Sequence, residues 1–214
     1  MSRLKIKVCG MRDALNIRQI ADLKPDLMGF VFYPASPRSA GEFPAEGMFE
    51  AFPPGILKTG VFVDADLYEI KAKILRFGLQ TVQLHGQESP EVCRQLMETG
   101  IKVIKAFNIA EDTDFSKMMP YLTSTTWFLF DTVSKVHGGS GERFNWKLLD
   151  KYQLGQPFFL SGGLDLSDAE SILSLKHPAL IGIDINSKFE FEPGVKDVSK
   201  VKKFCLKIKG EFEK

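Results

Sequence analysis

The chain has 214 residues, 44% of them hydrophobic and 26% charged, with a formal net charge of +1. That balance excludes a broad nucleic-acid footprint, which needs a strongly basic face, and no apolar stretch reaches the roughly 18 residues of a membrane span. A chain of this size can bury roughly 70% of its unfolded surface in one core, and no Ser/Gly linker or composition break divides it, so a single domain over residues 1–214 is expected.

Eight short runs rich in β-branched residues or Phe follow one another: LKIKVC (4–9), LMGFVFY (27–33), LKTGVFV (57–63), QTVQLH (80–85), IKVIKAF (101–107), TWFLFD (126–131), PFFLSG (157–162) and ALIGIDI (179–185). Their starts lie roughly 20 to 30 residues apart, the length of a strand-loop-helix-loop unit. Helical stretches fall between them. DLYEIKAKILRFG sets Leu67, Ile70, Ile74 and Phe77 on one face and stops at Gly78. SPEVCRQLMETG offers Ser89 as N-cap, Pro90 at the first helical position and Gly100 at the end. LSDAESILSLKH pairs Ser167 with Glu170 in a capping-box spacing, and VKDVSKVKKFCLKIKG closes the chain as an amphipathic helix. The basic stretches KIKVCGMR and VKKFCLKIKG read as elements with a solvated side.

Alternating strands and helices of these lengths predict an α/β fold of parallel βα units, closed as a barrel or open as a doubly wound sheet. An open nucleotide-binding sheet usually carries GxGxxG after its first strand; here CGMRD follows, which favours the (β/α)8 TIM barrel. In such a barrel the active site is built from loops at the C-terminal strand ends, and several polar residues stand there. Cys9 ends the first run, and Arg38 lies in the Pro-rich loop after the second. His85 ends the fourth, Asp131 the sixth; Ser161-Gly162-Gly163 follows the seventh and Asp184-Ile185-Asn186-Ser187 closes the eighth.

Each admits a plain reading as well as a chemical one. Gly162 and Gly163 either make a tight turn or let backbone amides approach a phosphate, with Asn186, Ser187 and a following short helix completing the site. Asp131 caps a loop or, partly desolvated after WFLF, remains a proton donor near neutrality. Arg38 is solvated or forks onto a substrate carboxylate. His85 is a ligand contact or a satisfied strand-end histidine, and Asp184 joins the substrate-contacting set. His137, in the Gly-rich segment after Asp131, and His177 have no site argument. Cys93 and Cys205 fall on helix faces as core residues. Three scattered cysteines without CxxC spacing make a disulfide framework or zinc site improbable and fit a reducing cytoplasm. The N-terminus lacks an apolar export segment.

Taken together and in order, KVCG (7–10), GFVFYPASPR (29–38), GVFVDA (60–65), VQLHGQESPE (82–91), IKAF (104–107), DTVSKVHGGSGERFNW (131–146), SGGL (161–164) and PGVKD (193–197) resemble the phosphoribosylanthranilate isomerase family over essentially the whole chain. The resemblance implies a (β/α)8 barrel catalysing an Amadori rearrangement of a phosphosugar in tryptophan biosynthesis, with Cys9 as general base and Asp131 as general acid. It implies Arg38 on the anthranilate carboxylate, and Gly162, Gly163, Asn186 and Ser187 on the phosphate. No cofactor, metal or obligate protein partner is implied. The two catalytic roles invert ordinary states: cysteine, near about 8.5, must lose its proton and aspartate, near about 3.9, must keep one. Two departures stand out. The loop after KVCG is short, and NSKFE (186–190) places Lys188 where many relatives carry glycine. Other phosphosugar barrels would want paired strand-end histidines, or a catalytic lysine with glutamates. A non-catalytic barrel would not need Cys9 and Asp131 together, and a redox protein would need a resolving thiol near Cys9.

Overall fold

A computed structural model of the protein describes residues 3–41, 49, 52–132 and 145–210. Each apolar run forms a strand: β1 Lys5–Val8, β2 Leu27–Val31, β3 Leu57–Phe62, β4 Thr81–Leu84, β5 Lys102–Ile109, β6 Trp127–Thr132, β7 Phe158–Leu160 and β8 Leu180–Ile185. All pair in parallel with their chain neighbours, and β8 pairs back onto β1 through Lys7↔Asp184 and Val8↔Ile185. That last pairing closes the barrel and rules out the open sheet. The Gly-rich segment after Asp131, with His137, lies outside the described residues.

The helices begin where short polar side chains satisfy the first free backbone donors. Asp13, Asp66 and Asp197 accept from the N–H groups of Asn16, Glu69 and Lys200 at 2.7, 2.8 and 3.0 Å, opening α1 Ala14–Ala21, α2 Leu67–Phe77 and, at the chain's end, the last helix Val198–Lys209. Ser89 does the same for α3 Pro90–Met97, and each such cap contributes about 1 kcal/mol. Before α4 Ala169–Ser174 the predicted Ser167–Glu170 box is not the one formed. The reciprocal pair is Asp165 with Asp168, and Asp168 accepts from the Asp165 N–H at 2.8 Å. The turn starts two residues earlier, as a 3-10 segment Leu166–Asp168, so an aspartate reaches the donors first. Longer 3-10 segments, Phe115–Tyr121 and Trp146–Lys151, stand in the connections after β5 and β6. A small antiparallel pair, β9 Glu190–Glu192 and β10 Val195–Lys196, joins β8 to the last helix, α5 Val198–Lys209. Among the described residues no helix is long and apolar enough to cross a membrane.

Side chains alternate between two apolar layers, as strand geometry requires. Ile6 and Val8 belong to the outer layer, with Ile17 and Ile20 of α1 and Val201 and Phe204 of α5. Cys93 and Cys205 are buried in that layer too, in the core role expected of them. Inside, Leu27, Ile104, Ala106, Leu129 and Phe159 plug the barrel. Cys9, Val31 and Val61, at their strands' C-terminal ends, cap this plug. One expectation fails here. Lys7 does not face solvent: it is completely buried, because the second face of β1 points into the barrel rather than to water.

Candidate active site

The C-terminal mouth of the barrel opens into one pocket, and all nine candidate residues from the sequence line it: Cys9, Arg38, His85, Asp131, Gly162, Gly163, Asp184, Asn186 and Ser187. Cys9 follows β1 directly, its N–H bonded to the Ile185 carbonyl at 2.9 Å. Its thiol fits because β2 carries glycine opposite. A Cβ on Gly29 would stand 2.6 Å from Cys9 Sγ.

Beneath the thiol lies a charged pair that sequence reading missed. Lys7 Nζ donates to Asp184 Oδ2 at 2.7 Å across the β1–β8 seam. Burial alone would strip the proton from Lys7, but the adjoining Asp184 carboxylate and Cys9 thiol outweigh it and hold the lysine above its ordinary value. Burial pushes the Cys9 thiol up, while the Lys7 ammonium beside it pulls the other way. Asp184 Oδ1 is buried and, among the described residues, has no hydrogen-bond partner. An unmatched carboxylate oxygen on a pocket wall is an acceptor for a ligand hydroxyl or ammonium.

A second missed network surrounds Arg38. That side chain is largely buried, not solvated, and its Nε donates to both Glu190 oxygens, at 3.0 and 2.9 Å. Glu190 also accepts from Lys196 Nζ, which in turn donates to Asn186 Oδ1 at 2.7 Å. Burial lowers Lys196 to about 8 in spite of Glu190. Among the described residues the Arg38 side chain bonds only through Nε, so both terminal nitrogens remain for a planar anion.

Across the pocket, His85 Nε2 stands 3.5 Å from Asp131 Oδ2, each side chain about a quarter exposed. Gln83, two residues before His85, places its amide nitrogen 3.1 Å from His85 Nδ1. Gly162 and Gly163 both take left-handed backbone conformations, φ 91 and 62, which bends the chain after β7 around an open rim in a way other residues resist. Ser187 opens a three-residue 3-10 turn, Ser187–Phe189, too short for the helix dipole expected there. Lys188 is exposed, and its carbonyl accepts from Lys200 Nζ at 2.6 Å. His177 sits away from the pocket, its Nε2 3.2 Å from the Tyr152 carbonyl. No group of three or more His, Cys, Asp or Glu among the described residues is arranged to hold a metal ion.

Lys7 and Gln83 were recoverable from the sequence: each precedes a candidate residue by two positions and so shares its strand face. Glu190 and Lys196 carried no such signal, because a hairpin brings them to Arg38.

A closed parallel barrel with thiol, carboxylate, imidazole and anion-ready loops at its C-terminal mouth defines an enzyme of the (β/α)8 class. Comparison with known proteins makes this specific. The family model for N-(5'phosphoribosyl)anthranilate (PRA) isomerase matches residues 6–207. N-(5'-phosphoribosyl)anthranilate isomerase of Parabacteroides distasonis is 45% identical over 206 residues, covering 95% of this chain and 92% of that one. The enzyme of Phocaeicola vulgatus is 42% identical, covering 97% and 99%. The crystal structure of phosphoribosyl anthranilate isomerase from Thermotoga maritima superposes with a TM-score of 0.85 at 32% identity, covering 97% of this chain and 99% of that one. Another structure, at TM-score 0.81 and 29% identity with 97% and 99% coverage, is a phosphoribosyl anthranilate isomerase in complex with reduced 1-(o-carboxyphenylamino)-1-deoxyribulose 5-phosphate. The chain belongs to the phosphoribosylanthranilate isomerase family, isomerases of tryptophan biosynthesis.

Proposed function

We propose that this chain, working as one barrel domain, converts N-(5'-phosphoribosyl)anthranilate into 1-(2-carboxyphenylamino)-1-deoxyribulose 5-phosphate. Asp131 acts as general acid and Cys9 as general base. The carrying observation is that Cys9, just after β1, and Asp131 of β6 line one pocket together with Arg38, Gly162, Gly163 and Ser187. Such a pocket offers groups for each part of the substrate: sugar, carboxylate and phosphate.

Phosphate binds the amides of Gly162, Gly163 and Ser187 beside the Asn186 side chain, and the anthranilate carboxylate takes the terminal nitrogens of Arg38. His85 and the unmatched oxygen of Asp184 contact the opened sugar. Asp131 gives its proton to the ring oxygen as the C1–O bond breaks and the anthranilate nitrogen supplies electrons to C1, forming a cationic Schiff base. The Cys9 thiolate then removes the C2 proton, and the C2–H electrons become the C1=C2 bond of a neutral enolamine. Proton transfer to C1 and loss of the enol proton yield the ketone. The Schiff base is the electron sink, so no metal or organic cofactor enters.

Burial disfavours the thiolate in the resting site, so two positive charges support it when it acts: the Lys7 ammonium and the iminium adjoining the carbon it deprotonates. A base held at a raised value is also the stronger proton acceptor once ionised. Three buried cysteines, none of them in a disulfide among the described residues, suit a reducing compartment such as the cytoplasm.

Fluorescence of the anthranilate group, with substrate generated in situ, tests the reading on wild type, Cys9→Ser and Asp131→Asn. Rapid loss of the substrate signal is expected with wild type, and a fall in kcat of roughly 10² to 10⁴ for each variant. No turnover by folded wild type would overturn the activity; near-full activity of a variant would remove that residue from its role.

A further inference from the structure

Gln83 has no place in the chemistry above, yet it is buried in the pocket wall with its amide nitrogen 3.1 Å from His85 Nδ1. We propose that Gln83 locks His85 in the tautomer protonated on Nε2, so that His85 donates toward Asp131; Gln83 is a positioning residue acting through His85. The inference rests on Asp131 being the acid, but its core, the tautomer, does not.

Three observations converge. First, the orientation of the amide is decided by what surrounds it. As placed, one of the two amide N–H groups meets Nδ1, and the acceptor Gln83 Oε1 is left buried and unmatched among the described residues. Turning the amide over would bury two N–H donors there instead, and orphaned donors are the rarer and costlier defect. A donating amide makes Nδ1 the acceptor, which assigns the ring proton to Nε2.

Second, the other ring nitrogen faces a group that favours the same choice. Nε2 lies 3.5 Å from Asp131 Oδ2, a long contact of the kind that shortens when a ligand fills the site. Asp184 is a further carboxylate lining the same pocket as His85. Third, the backbone carrying the ring is pinned. Lys105, itself buried, donates from Nζ to the carbonyls on either side of His85, Leu84 at 3.2 Å and Gly86 at 2.8 Å, and to Glu88 at 3.2 Å. The imidazole therefore has a set direction as well as a set tautomer.

The consequence bears on proton transfer. With Oδ2 taken by the His85 N–H, the acid proton of Asp131 is directed to Oδ1. As that proton leaves for the ring oxygen, the carboxylate gains charge and the Nε2–H···Oδ2 bond strengthens, an interaction larger in the transition state than before it. His85 itself neither gains nor loses a proton.

The chain has three histidines, so ring-15N-histidine labelling with long-range 1H–15N correlation is tractable, with His85→Asn identifying the His85 signals. Wild type should show His85 as the Nε2–H tautomer at neutral pH; an Nδ1–H or doubly protonated ring would overturn the proposal without touching the isomerase assignment. In Gln83→Met, close in size but unable to donate, the ring should redistribute between tautomers and kcat should fall roughly 10-fold with KM nearly unchanged. In Gln83→Glu, whose carboxylate can only accept, the proton should move to Nδ1. A wild-type tautomer pattern in folded Gln83→Met would overturn the lock. Absence of turnover by wild type with the Nε2–H tautomer present would instead overturn the acid role and leave the lock standing.

Discussion

Lys7 and Asp184 meet inside the barrel, Nζ to Oδ2 at 2.7 Å, on neighbouring strands and shielded from solvent. Two desolvated charges of this kind seldom stabilise a fold relative to a well-packed apolar pair, but removing only one strands the other. Their retention at the floor of the pocket is therefore better explained by what lies directly above, the Cys9 thiol.

Lys7→Met should cost about 3–5 kcal/mol, because Asp184 is left buried and unpaired. Adding Asp184→Leu should restore most of that stability without restoring kcat, since the thiolate has still lost its ammonium neighbour. Denaturant midpoints and turnover on the two variants check this; equal stabilities for single and double variant would refute it.

Gly29→Ala places a methyl 2.6 Å from Cys9 Sγ. Overpacking of this size should destabilise by about 1–3 kcal/mol, and kcat should drop as the thiol is displaced. Cys9→Ala in the same chain should return part of the stability, because the nearest clashing atom is gone while Cys9 Cα and Cβ stay at 3.2 and 3.3 Å. Thermal unfolding of the single and double variants measures it.

Arg38→Ala should weaken carboxylate-bearing product analogues by about 10- to 100-fold while leaving simple phosphosugars much less affected. Glu190→Gln should loosen the same ligands more mildly, since a neutral amide holds Nε less firmly. Calorimetric titration with both ligand types decides; equal losses for both would count against a carboxylate clamp.

Lys196 gives a pH signature. Folded, it releases its proton near about 8, whereas in the unfolded chain it keeps it until the ordinary value of 10.5. Between those limits the unfolded state binds more protons, so this residue makes stability rise with pH across that window. Chemical unfolding from pH 7 to 11 should show wild type gaining on Lys196→Met through the window. A constant difference would mean that Lys196 titrates normally.

How much of this was legible beforehand follows from the range of each interaction. The eight strands were readable because β-strand burial is written locally, in runs of Val, Ile and Phe, and four of the helices because Ser89, Pro90 and Gly78 act within one turn; α1, Ala14–Ala21, was not anticipated. Capping misled at Ser167 and Glu170, where Asp165 and Asp168 compete for the same donors, and α3 ends at Met97 with Glu98 as its C-cap, short of Gly100. Cys9, Asp131, Arg38 and the SGG turn were visible as polar residues ending apolar runs, and the resemblance to a family lent them roles that composition could not.

The sequence by itself determined the barrel and most of its polar rim, since strand spacing and strand-end chemistry are properties of short segments. Only the tertiary structure decided that Lys7, on the face of β1 it shares with Cys9, meets Asp184, 177 residues away, and that Glu190 and Lys196 reach Arg38 through a hairpin. It also decided that Gln83 meets His85 before His85 meets Asp131. Those contacts exist because barrel closure brings β1 against β8 and points alternate side chains into one small desolvated space, where a lysine that would be solvated on a lone strand must find a carboxylate.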